Sequence, residues 1–196
     1  MQTMQNIIIF FHGYASSPKA EKFQKLFDRF GPEQVFAFAA DLNPQIAQTE
    51  VLANIQKVIA AKQASIEQSN DELTSGASAI RLILVGSSMG CWLACRLLEK
   101  LQVDYPCELV LINPCLDPAV VRSVHPEHAD LLVQYQAIKP LPKAHYFISR
   151  YDEVIDHTEL IGALLGSEEI SIFENSDHRF NGPEFSSVIQ YIERFF

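Results

Sequence analysis

The sequence predicts an α/β domain built on a mostly parallel sheet of about six to seven strands with helices on both faces. Three observations carry that expectation. Short, continuous apolar runs such as Ile7-Ile8-Ile9-Phe10-Phe11 and Leu109-Val110-Leu111-Ile112 suit strands buried on both faces. These runs alternate with stretches of helical periodicity, the pattern of strand–helix–strand units with parallel pairing. Third, Gly86-Ser87-Ser88-Met89-Gly90 joins the apolar run Ile80-Arg81-Leu82-Ile83-Leu84-Val85 to the helical pattern Cys91-Trp92-Leu93-Ala94-Cys95-Arg96-Leu97-Leu98. A G-x-S-x-G segment between a strand and a helix is the pattern of a nucleophile elbow.

Residues 7–11 form the first expected strand, followed by the loop His12-Gly13-Tyr14-Ala15-Ser16-Ser17-Pro18. A helix is expected over 19–30, with Phe23, Leu26, Phe27 and Phe30 on one face and a stop at Gly31-Pro32. Residues 35–39 read as the second strand, which Asp41-Leu42-Asn43-Pro44 breaks. Residues 45–68 are helical, with Ile46, Val51, Leu52, Ile55, Val58 and Ile59 as the apolar stripe, and 69–78 read as a polar connection. The third strand spans 80–85, the elbow helix 88–101 and the fourth strand 108–112. Residues 114–141 lack strand character and carry Pro114, Pro118, Pro126 and Pro140; they are expected to hold one or two short helices as a short lid over the site. A fifth strand over 144–149, a helix over 157–165, a sixth strand over 169–173 and a last helix over 183–196 complete the chain. With no internal repeat, low-complexity tract or linker, 1–196 reads as a single domain.

Bulk properties narrow the function classes. A chain of 196 residues has ample material for one core, and 48% hydrophobic with 20% charged residues fits a globular protein. No apolar run approaches the ~18 residues that membrane insertion requires. No basic, signal-type segment precedes the first strand, so the expected location is cytoplasmic. A net charge of −9 argues against a nucleic-acid partner. Cys91, Cys95, Cys107 and Cys115 lack companions at metal-ligand spacing and are expected to be buried free thiols. Neither a metal nor an organic cofactor is expected.

The elbow has partners. In sheets of this type ligands bind outside the carboxyl ends of the strands. Asp152 follows the fifth strand, His178 follows the sixth, and His12-Gly13-Tyr14 follows the first. The chain order Ser88, Asp152, His178 is that of α/β-hydrolases. A neutral hydroxyl needs a base to take its proton during attack, which His178 can do near neutral pH. Asp152 would hold the ring in its working tautomer and stabilise the imidazolium. Glu153 and Asp156 share its loop and stay as alternatives for the acid. The backbone N–H groups of Met89 and Tyr14 are the expected oxyanion donors, with Gly13 letting the chain turn close to the site. Gly86 and Gly90 let strand and helix approach, and the His12 ring orders the oxyanion loop. Ser16 and Ser17 shape that loop, and Ser87, Trp92, Phe10 and Phe11 are structural. His125, His128, His145 and His157 join no constellation and read as surface or packing residues, and Asp177 as a loop acid.

The chain resembles the YqiA/YcfP-type small bacterial esterases of the α/β-hydrolase superfamily. The resemblance rests on His12-Gly13-Tyr14-Ala15-Ser16-Ser17-Pro18 with Lys22 following, and on Val85-Gly86-Ser87-Ser88-Met89-Gly90. Asn113-Pro114, Asp152-Glu153-Val154 with Asp156, and Asp177-His178-Arg179-Phe180 extend it over almost the whole chain. It implies Ser88 as nucleophile, Asp152 as acid, His178 as base, and a small-molecule acyl ester or thioester as substrate. The expected function is a carboxylesterase with an acyl-enzyme intermediate. A thioester hydrolase, such as one acting on acyl-CoA, is the alternative on the same triad, and a non-catalytic binding protein with this fold is the alternative from another class.

Overall fold

The computed structural model describes residues 4–14, 16–69 and 80–196. Six strands, β1 (Gln5–Phe11), β2 (Val35–Ala37), β3 (Ile80–Ser87), β4 (Cys107–Ile112), β5 (Ala144–Ser149) and β6 (Ile170–Phe173), form one sheet in the order β2-β1-β3-β4-β5-β6. Every pairing between these strands is parallel. The helices are α1 (Glu21–Phe30), α2 (Pro44–Ser69), α3 (Met89–Leu101), α4 (Ala129–Leu132), α5 (Thr158–Leu164) and α6 (Phe185–Glu193).

The period-two geometry of a strand divides its apolar run between two cores. Ile7, Ile9 and Phe11 of β1 and Leu82 and Leu84 of β3 face Val51, Ile55 and Ile59 of α2 and Leu97 of α3. Ile8 and Phe10, with Ile83 and Val85, face Leu26 of α1 and Phe185, Val188 and Ile192 of α6. Because both faces are covered, the strands carry no polar alternation, which is why they read as continuous runs. Each fully buried aliphatic side chain here contributes ~1.5–3 kcal/mol relative to exposure.

The structure moves some expected boundaries. β1 starts at Gln5, and the parallel ladder carries Gln5 and Asn6 opposite Ile80 and Arg81. β2 stops at Ala37, opposite Phe10, near the point where its one partner turns into the loop. β3 runs on to Ser87 because Ser87 still pairs with Ile112. In α2, Ile46 is 44% exposed and Ala47, one position on, takes the buried place in the stripe. The polar connection expected at 69–78 falls, from residue 70 onward, outside the described residues. Among the described residues no helix is long and apolar enough to cross a membrane.

Candidate active site

β1 is flanked by β2 on one side and β3 on the other, so the chain reverses its direction of winding between β1 and β3. The crevice at such a switch point lies at the carboxyl ends of the two strands. The loop after β1 and the turn after β3 both empty into it.

Ser88 sits at the β3–α3 junction with φ 53° and ψ −125°. A positive φ is costly for a residue with a Cβ and persists only where the surroundings hold it. Here they do: the Ser88 N–H donates to the Ile112 carbonyl at 2.9 Å, and the Ser88 carbonyl accepts from Cys91 and Cys115 N–H at 3.0 and 3.1 Å. The two elbow glycines are required by close approach. A Cβ on Gly86 would lie 2.6 Å from Cys91 Cα, and one on Gly90 would collide with the Phe11 carbonyl. Gly13 packs its backbone against the serine, since a Cβ there would lie 3.4 Å from Ser88 Cβ. His12 Nδ1 donates to the Gly13 carbonyl at 2.9 Å, bracing that loop. Among the described residues neither the Tyr14 nor the Met89 N–H has a backbone acceptor.

His178 Nε2 is 3.0 Å from Ser88 Oγ, and His178 Nδ1 is 2.7 Å from Asp152 Oδ2. A carboxylate only accepts, so Nδ1 carries the proton and the Nε2 lone pair faces the serine hydroxyl. The Asp152 side chain is fully buried, and all of its acceptor sites are used. Oδ1 accepts from the Val154 and Ile155 N–H groups at 2.8 and 2.9 Å. Burial alone would raise the Asp152 carboxyl, but hydrogen bonds from His157, His178 and the Ile155 N–H outweigh it and hold it well below the usual carboxylate range. Of the alternatives, Glu153 accepts from the His178 backbone N–H at 2.9 Å, and Asp156 accepts from the Thr158 N–H at 2.9 Å. Asp152 is the acid in this loop that meets the His178 ring.

Two residues in the site were not anticipated in these roles. His157, expected as a surface or packing residue, is 3% exposed and places Nε2 3.1 Å from Asp152 Oδ2. Its neighbour in the chain gave no sign of this, because the contact depends on the loop doubling back onto its own carboxylate. Asn113, at the end of β4 with φ 42°, was noted only in the resemblance. Its Oδ1 accepts from the Ser149 N–H at 2.7 Å, and its Nδ2 donates to the Asp177 and His178 carbonyls at 3.1 and 3.0 Å. Ser149 Oγ donates to the same Asp177 carbonyl at 2.8 Å and accepts from Ser176 Oγ at 2.6 Å. This buried network fixes the loop that carries His178. A polar pair at strand ends, Asn113 and Ser149, was the only available signal.

Residues 114–141 close one side. They contain 3-10 turns at Pro118–Ser123 and Pro126–His128, the second running into α4. Val121 and Leu132 pack with Met89 and Ile155, and the Tyr14 ring meets His125 at 5.2 Å and His128 at 5.6 Å. Beneath lies a cavity of about 370 Å³ bordered by Ser88, His178, Tyr14, Val121 and Val124. His145 packs against Phe147 and Tyr191. Cys91, Cys95 and Cys115 are buried, whereas Cys107, expected to be so, is only partly covered where β4 begins. Burial pushes Cys95 and Cys115 up to about 12 and Cys107 to about 11, so these thiols stay protonated.

Comparison with known proteins identifies the fold and the family. No curated protein matches the chain. Solved structures similar to it include a soluble variant of monoglyceride lipase from Saccharomyces cerevisiae (TM-score 0.67, 10% identity, 100% of this chain and 87% of that one). Est1E from Butyrivibrio proteoclasticus aligns with TM-score 0.62 at 12% identity over 100% of this chain and 89% of that one. A Xanthomonas campestris protein assigned to the α/β hydrolase superfamily aligns with TM-score 0.57 at 16% identity over 98% of both chains. The fold is the α/β-hydrolase fold. Residues 7–196 match the uncharacterised protein family UPF0227, the group that the YqiA/YcfP-type motifs resemble, and the chain belongs to that family.

Proposed function

We propose that the protein is a carboxylic ester hydrolase that works through Ser88, His178 and Asp152. The observation that carries this reading is the continuous hydrogen-bond chain Ser88 Oγ–His178 Nε2 and His178 Nδ1–Asp152 Oδ2, at 3.0 and 2.7 Å. It opens onto a cavity at the sheet's switch point. The names of the yeast lipase and Est1E, on similar folds, fit the same chemistry.

Ser88 Oγ attacks the ester carbonyl as His178 Nε2 takes its proton. The negative charge that develops on the carbonyl oxygen is met by the Tyr14 and Met89 N–H groups, which have no backbone acceptor among the described residues, the latter at the start of α3 where the helix dipole favours an anion. Losing one such donor costs ~3 kcal/mol of transition-state stabilisation. The buried Asp152 carboxylate stabilises the imidazolium. His178 then gives its proton to the departing alcohol, leaving an acyl ester on Ser88. Water, deprotonated by the same His178, attacks that ester and releases the acid, and Ser88 recovers its proton. The Asp152 carboxylate, held by four donors, stays ionised throughout.

Hydrolysis of p-nitrophenyl esters over a range of acyl lengths, in wild type beside Ser88→Ala, tests the reading. Turnover in the wild type that vanishes in the variant is the expected result. Equal turnover in both would overturn it.

A further inference from the structure

The walls of the Ser88 cavity carry charge of one sign. On a chain with net charge −9, the described side chains bordering this cavity include Lys22 and Arg179 and, among the described residues, no aspartate or glutamate. Lys22 stands in the first turn of α1 and is only 8% exposed. Among the described residues its ammonium makes no hydrogen bond and no ion pair, while its helix neighbour Lys25 is paired with Glu21. Arg179, next to His178 and at the surface, is likewise without a carboxylate partner among the described residues. Asp177 and Glu21 act on it only from beyond ion-pair distance. A largely buried lysine with no directly paired carboxylate is expensive, and proteins retain one where something else supplies the anion. The triad mechanism gives Lys22 no task.

We propose that Lys22, with Arg179 beside it, binds an anionic group of the substrate, so that the ester this site cleaves carries a carboxylate or phosphate within the same cavity. This rests on the esterase reading and narrows it. A cavity of about 370 Å³ lies at the small end for ligand sites, so the charged group lies a few bonds from the scissile carbonyl. The apolar Val121, Val124 and Val154 line the rest and take the carbon chain. Burial pushes the Lys22 ammonium down to about 8. The groups that act on it are Cys91 of α3, Asp177, and Glu21 and Lys25 of its own helix, while Tyr14, His125, His178 and Arg179 line the same cavity. Lys22 is therefore charged below that pH and neutral above it, and preference for an anionic ester fades as pH rises through about 8.

The test compares kcat/KM for 4-nitrophenyl butyrate and mono-4-nitrophenyl glutarate, which differ in reach mainly by a terminal carboxylate. Wild type is expected to favour the glutarate half-ester. Lys22→Met, close in volume, reduces the glutarate-to-butyrate ratio at least tenfold, and Lys22→Arg restores part of it. No preference in the wild type, or an equal loss on both esters in Lys22→Met, overturns the proposal. Calorimetric titration of Ser88→Ala with glutarate and with inorganic phosphate separates the two anions and is independent of turnover. If neither ester is cleaved, the esterase reading fails, yet anion binding that disappears on adding Lys22→Met still upholds the site. Absence of binding for both anions overturns it.

Discussion

The two halves of the Ser88–His178 pair are held in place by different means. Ser88 is positioned by backbone: a strained φ, three main-chain hydrogen bonds, and two glycines where Cβ atoms would strike Cys91 and Phe11. His178 is positioned by side chains: Asp152 on its ring, Glu153 on its N–H, and Asn113 on its carbonyl. The serine therefore shares the rigidity of the sheet core, while the histidine depends on polar contacts between distant segments. A backbone-built position fails together with the fold. A side-chain-built one can lose function while the fold stands.

That difference can be broken deliberately. The largest effect is expected from Asp152→Asn, which keeps the volume but offers His178 Nδ1 a donor in place of an acceptor. Losing the working tautomer should lower kcat by about 10⁴-fold with the fold retained, read by steady-state kinetics beside circular dichroism. Because the folded Asp152 carboxyl lies below its ordinary value, its contribution to stability is present above about pH 4 and is lost as pH falls through the depressed value. The stability gap between wild type and Asp152→Asn should narrow over that acidic range, and a gap that widened would contradict the assignment.

Gly90→Ala probes the other half. Its Cβ would drive into the Phe11 carbonyl, a backbone atom that cannot step aside. About 3 kcal/mol of stability, roughly 6–12 °C in Tm, should disappear together with activity. A stable but inactive Gly90→Ala would show that the elbow is less tied to the core than described. Asn113→Ala is intermediate. It strands the buried Ser149 N–H and the His178 carbonyl and leaves the Asp177 carbonyl to Ser149 Oγ alone, at a cost of about 2 kcal/mol, and should lower kcat more than tenfold by loosening His178. The smallest effect belongs to His157→Phe, which removes one of four donors to Asp152. A loss of about fivefold in kcat with little change in KM, partly restored in His157→Gln, would mark His157 as a positioning residue. An unchanged rate would make its contact with Asp152 a matter of packing alone.

The same contrast explains what could be read from sequence. Ser88 and its glycines are legible because a turn that brings strand against helix must write its requirement into five consecutive residues. The strands are legible because covering both faces of a sheet demands unbroken apolar runs. His178 and Asp152 could be placed by their position after β6 and β5. The sequence favours Asp152 as the acid but leaves Glu153 and Asp156 open, since all three lie close together in the same loop and only the tertiary contact separates them. His157 and Asn113 escaped for a related reason. Their partners lie at the ends of other segments or across a fold of the loop, and no local spacing encodes such meetings. Lys22 was visible as part of a motif, but its burial with no paired carboxylate among the described residues is a property of the packed cavity.

The central claim is that Ser88 is a nucleophile activated by His178. Its most direct test is labelling of the folded protein with a fluorophosphonate, followed by peptide mass spectrometry. The account predicts one adduct per chain, on Ser88, absent in Ser88→Ala and greatly slowed in Asp152→Asn. Folded wild-type protein that takes up no label, or carries it on another residue, would contradict it.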